Sequence, residues 1–75
     1  MQTWVVHLFA YLKERHGTSV EVQAGATAKE ILDALTAKGI NVTSCRLAVN
    51  NEFAKPETVV AAGSDLAVIP PVSGG

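Results

Sequence analysis

Few residues in this 75-residue chain are placed to do chemistry, and they are scattered. The single cysteine, Cys45, falls at the mouth of an expected strand, with no histidine or carboxylate spaced to activate it. A small incidental thiol is the simpler reading. His7 belongs to a strand-like stretch and His16 to a turn, so they make no ligand pair and no metal site is expected. Glu14, Glu21 and Glu30 fall on separate segments, which leaves no carboxylate dyad. A glycine-rich phosphate loop, an H-E-x-x-H motif and a nucleophile elbow are all lacking. The end of the chain is different. No charged side chain follows Asp65, so Leu66 to Gly75 is a neutral run whose anion is the terminal carboxylate of Gly75.

A carboxylate is a poor acyl donor, because the anion repels nucleophiles and oxide is a poor leaving group. Conversion to an acyl-adenylate removes both obstacles, and a sulfur nucleophile can then displace AMP and leave a thiocarboxylate. For this the terminus must enter a narrow, water-poor pocket on a partner. Gly74 and Gly75 have no side chain to obstruct entry. Pro70 and Pro71 hold the base of the tail extended, ahead of Val72 and Ser73, and reduce the entropy lost on threading. At about 3.3 Å per extended residue, Pro70 to Gly75 reaches roughly 20 Å. The expectation is a domain over residues 1–69 and a flexible Gly-Gly tail over 70–75. An ordinary chain end is the competing reading of Val72 to Gly75 taken alone.

The elements that must position the tail follow from periodicity. Trp4, Val6, Leu8, Ala10 and Leu12 alternate with Val5, His7, Phe9 and Tyr11, which predicts a strand over Trp4–Leu12. After the Gly17 turn, Ser19 to Gln23 predicts a second strand, antiparallel to the first. Thr27 with Glu30 forms a capping-box pattern, and Ala28, Ile31, Leu32 and Leu35 recur at helical spacing. With Gly39 as a stop, a helix is expected near Thr27–Lys38. Arg46–Asn50 reads as a strand, Asn50-Asn51-Glu52 as a turn and Phe53-Ala54 as a brief strand. Leu66–Ile69 reads as the last strand, stopped by Pro70-Pro71. The sum is an α+β domain, a small mixed sheet covered on one face by one main helix. The uncovered face would carry His7, Phe9, Ala67 and Ile69, and an apolar patch around Phe9 and Ile69 invites a partner.

Composition narrows the classes. A chain that is 48% apolar and varied in sequence is expected to fold, although one this small has a thin core. The net charge is −1 with both signs interleaved, so the basic stripe of a nucleic-acid binder is missing. The apolar stretches are too short to span a bilayer, and one free thiol with no signal peptide is the pattern expected of a cytoplasmic protein.

The closing run Ile69-Pro70-Pro71-Val72-Ser73-Gly74-Gly75 closely resembles the end of the molybdopterin synthase small subunit, in the MoaD/ThiS-type β-grasp sulfur carrier family. Leu8-Phe9-Ala10-Tyr11-Leu12-Lys13-Glu14 followed by Gly17 resembles its first strand and turn. Ala48-Val49-Asn50-Asn51-Glu52-Phe53 resembles its central strand and turn, and Gly63, Asp65 and Leu66-Ala67 the entry to its last strand. Ser64 and Arg15-His16 depart from the family pattern, away from the tail. The resemblance implies a β-grasp, ubiquitin-like fold and a role in molybdenum cofactor biosynthesis. Gly75 would be adenylated by an E1-like enzyme that uses ATP, and would become a thiocarboxylate with sulfur from a sulfur-donor enzyme. Gly74 would allow entry to the large subunit, where sulfur passes to cyclic pyranopterin monophosphate. Two carriers supply the two sulfurs, which implies a heterotetramer. Phe9 and Ile69 would meet the large subunit, which carries the catalytic side chains. The chain would therefore bind no cofactor and would not be an enzyme alone. A carrier for thiamine, cysteine or tRNA thiolation, a ubiquitin-like modifier of lysines, and a plain interaction domain are the alternatives.

Overall fold

The computed structural model describes residues 1–71, so the expectations for Val72, Ser73, Gly74 and Gly75 lie outside the described residues. The chain runs β1 (Gln2–Leu8), α1 (Ala10–His16), β2 (Ser19–Ala24), α2 (Ala28–Ala37), β3 (Arg46–Val49), β4 (Glu52–Phe53) and β5 (Leu66–Ile69). The strands form one sheet in the order β2-β1-β5-β3-β4. β1 and β5 are parallel, and the β1–β2, β3–β5 and β3–β4 pairs are antiparallel. This is the expected mixed sheet, with β5 at its centre.

One face is dry. Trp4, Val6 and Leu8 of β1, Leu47 of β3 and Leu66 and Val68 of β5 pack with Ile31 and Leu35 of α2. Trp4 also satisfies its polar edge there, since its indole N–H donates to the carbonyls of Ala24 and Gly25. The helix begins as its sequence implies. Thr27 Oγ1 accepts from the Glu30 N–H, and the Glu30 carboxylate accepts from the Thr27 N–H, both at 3.2 Å. The next free donors are met from the loop after β4: Ala28 N–H reaches Thr58 O and Lys29 N–H reaches Pro56 O, both at 2.9 Å.

The first strand is shorter than expected. Instead of continuing to Leu12, it stops at Leu8, and a short helix α1 fills the connection to β2. Phe9 is still extended, but Ala10 takes a φ of 53° and redirects the chain. Ala10 to His16 is made mostly of good helix formers, and Leu12 is the residue of this helix that returns to the core. Gly17, at φ 96°, closes this helix with its N–H on Lys13 O at 2.9 Å. The β3–β4 turn is tighter than expected. Asn50 and Asn51 both have positive φ, the two-residue geometry that matches strand twist, and it moves the short strand to Glu52–Phe53.

Candidate functional site

Alternation carries the other face outward. Because Phe9 keeps extended dihedrals, it continues the Val5, His7 row even though β1 has ended. In the register His7↔Ala67 and Leu8↔Val68, Ile69 comes level with Phe9. On the far side Ala48 pairs with both Ala67 and Phe53. Phe9, Ala48, Asn51, Phe53, Ala67 and Ile69 therefore border one shallow apolar groove of about 280 Å³. Phe9 is 47% exposed and Phe53 58%, an unusual cost for two aromatic rings in so small a domain.

The groove lies beside the exit of the chain. β5 is the central strand, and Ile69 leads directly from the sheet into Pro70, which is buried, and Pro71, which is exposed. Of the residues singled out from sequence, Phe9, Ile69, Pro70 and Pro71 are thus brought together, whereas Val72, Ser73, Gly74 and Gly75 lie outside the described residues.

Polar groups frame the groove. Arg46, paired with Ile69 in register, places its guanidinium 4.9 Å from the centre of the Phe53 ring. At the opposite end His7 Nε2 approaches Asp65 Oδ1 at 3.6 Å, with both side chains more than half exposed. Asp65 is held by Asn50, which donates to its carbonyl at 2.8 Å and accepts from its N–H at 2.9 Å. Tyr11 and Cys45 meet at 4.0 Å, and this contact pushes the Tyr11 hydroxyl above its ordinary pKa; partial desolvation and negative charge on Cys45 add, and Arg15 opposes. Ala48, Phe53 and Arg46 were not legible as site residues from sequence. The signal for Phe53 was the Asn50-Asn51 turn, which folds β4 back beside Ala48.

A larger cleft, of about 440 Å³, separates β2 from the end of α2. Its cation, Lys38, already donates to the Glu21 carbonyl, and nothing there faces the chain exit. Among the described residues no three His, Cys, Asp or Glu side chains converge as metal ligands, and no helix is long and apolar enough to cross a membrane.

Comparison with known proteins points the same way. Residues 6–75 match the ThiS family. The molybdopterin synthase sulfur carrier subunit of Arabidopsis thaliana is 34% identical over 77 residues, covering 93% of this chain and 80% of the relative. The crystal structure of SAMP1 from Haloferax volcanii is 32% identical, with a TM-score of 0.72 over 99% of this chain and 100% of that one. A chain in the BexX/CysO complex of Amycolatopsis orientalis is 26% identical, with a TM-score of 0.71 over 95% of this chain and 98% of that one. The fold is therefore the ubiquitin-like β-grasp.

Proposed function

This chain belongs to the ThiS family of sulfur carriers, and from that premise we propose that it is the sulfur-carrying small subunit of a molybdopterin synthase. The observation that carries the reading is that the family match runs through Gly75 on a chain whose last strand residue before the tail, Ile69, borders an apolar groove. An E1-like enzyme would seat on that groove and take the tail into its nucleotide site. The Gly75 carboxylate attacks the α-phosphate of ATP, releasing pyrophosphate and giving the acyl-adenylate. A hydrosulfide-level nucleophile from a sulfur-donor enzyme then forms the C–S bond as the C–O bond to AMP breaks. The resulting thiocarboxylate enters the large subunit and gives its sulfur to the pterin. In this scheme the domain supplies docking and reach, and the partners supply catalytic side chains. Its place is the cytoplasm, where Cys45 stays a thiol.

A second reading rests on a specific likeness. A solved structure of small archaeal modifier protein 1 from H. volcanii covers 93% of this chain at 29% identity and a TM-score of 0.74, and that name is of a modifier. The same adenylate attacked by a lysine amine gives an isopeptide instead of a thiocarboxylate.

Intact mass of the protein from its own cells, with fragmentation of its C-terminal peptide, separates the two. Exchange of one oxygen for sulfur at Gly75 is the expected result, and deletion of Gly75 should abolish sulfur transfer while thermal unfolding stays unchanged. A truncated chain that still supports pterin sulfuration overturns the proposal. Conjugates on lysine without any thiocarboxylate favour the modifier.

A further inference from the structure

Resting on the carrier reading above, we infer that Arg46 is a specificity-determining residue of the docking face, and that it pairs with a carboxylate on the rim of the partner that covers the groove. Three observations carry this. Arg46 is exposed on β3, and its strand partner Ile69 is the last sheet residue before the tail. A partner that takes in the tail must therefore pass close to the guanidinium. Its position is also set in advance, because the cation lies over the Phe53 ring at 4.9 Å. This contact with the ring uses none of the guanidinium N–H groups in an ion pair, so they can still meet a planar bidentate acceptor. Finally, Arg46 makes no ion pair among the described residues, whereas Asp65 on the same face stands beside His7 and Asp33 on α2 binds Lys29.

The anion is a protein carboxylate and not the phosphate of the adenylate. Inserted in extended form, Pro70 to Gly75 spans roughly 20 Å, which takes the reacting end far from a side chain fixed at the base of the tail. An acid facing Arg46 at the rim of an apolar contact would be partly desolvated on docking, where charge pairing selects partners most strongly. Lysine would keep the charge but lose the planar fork.

The experiment is calorimetric titration of the full chain and its variants against the E1-like enzyme and the large subunit of the same organism, at low and high salt. Arg46→Gln should weaken binding about tenfold and flatten its salt dependence, as expected for loss of one charge-assisted contact. Arg46→Glu should weaken it about a hundredfold by adding repulsion, and Arg46→Lys should fall between wild type and Arg46→Gln. Thermal unfolding of each variant checks that the fold is intact, which an exposed site should allow. A loss with either partner supports the inference. Unchanged affinity and salt slope in Arg46→Glu for both partners overturns it, provided Phe9→Asp still abolishes binding. If wild type binds neither partner, or Phe9→Asp binds normally, the carrier reading of this face fails and the inference fails with it.

Discussion

The two faces of this sheet are built from the same strands and differ only by one residue of phase. The covered face holds Trp4, Val6, Leu8, Leu66 and Val68, all nearly inaccessible, under Ile31 and Leu35 of α2. The open face holds Phe9, Phe53, Ala67 and Ile69, with the two aromatic rings about half exposed. A single-residue slip would exchange the sets. The covered face stabilises the domain, and the open face keeps apolar area available for a contact that the domain does not itself make. Substitutions on the first should therefore be read in stability, and on the second in affinity.

The largest effect is expected on the covered side. Leu35 is fully buried against the sheet, so Leu35→Ala should destabilise the fold by about 3 kcal/mol, the transfer loss plus the cavity left behind. A domain of this size has little reserve, and chemical denaturation would show a sharply lowered midpoint. Any loss of partner binding should follow only from the unfolded fraction. If Leu35→Ala lost affinity while its denaturation curve stayed unchanged, the division between the faces would be wrong.

Phe9→Asp sharpens the contrast from the other side. Phe9 follows β1, caps α1 only through its backbone and makes no side-chain hydrogen bond, so stability should change by less than about 1 kcal/mol. Binding of the activating enzyme should drop by roughly a hundredfold, because a desolvated carboxylate replaces an apolar anchor. Equal affinity for the variant and the wild type, measured by titration calorimetry, would make the groove irrelevant to docking.

How far these faces were legible depended on whether one local signal acted alone. Thr27 and Glu30 stated the start of α2 because a capping box has no strand counterpart, and Pro70 stated the end of β5 because it lacks an N–H. The placing of Phe9 and Ile69 on one side followed from strict alternation in β1 and β5. The stretch from Ala10 to Leu12 is helical although its apolar residues continue that alternation, because a separation of four between Leu8 and Leu12 fits strand and helix alike; propensity and the φ of Ala10 decide for the helix. Phe53 and Arg46 could not be assigned in advance. Their place depends on how β3 pairs with β5 and how far β4 folds back, which are contacts between segments distant in sequence.

The smallest expected effect lies at the seam between the faces, where Tyr11 of α1 meets Cys45 just before β3. The chain has one tyrosine, so phenolate absorbance reports this site without ambiguity. The bond to Cys45 is the leading cause of the raised Tyr11 pKa, followed by desolvation and the charge of Cys45. A raised folded-state pKa means that the folded chain holds the phenolic proton more tightly than the unfolded one. The associated stabilisation is complete below the ordinary tyrosine pKa, near 10, and is lost as pH rises through the higher folded value. Both partners are accessible to solvent, so the effect on stability is small and the titration itself is the sensitive measurement. Spectrophotometric titration of Cys45→Ala should move the midpoint down toward the ordinary value while leaving partner binding intact. A midpoint that does not move would mean that Tyr11 and Cys45 do not interact in solution and that α1 is not held to β3 at this seam.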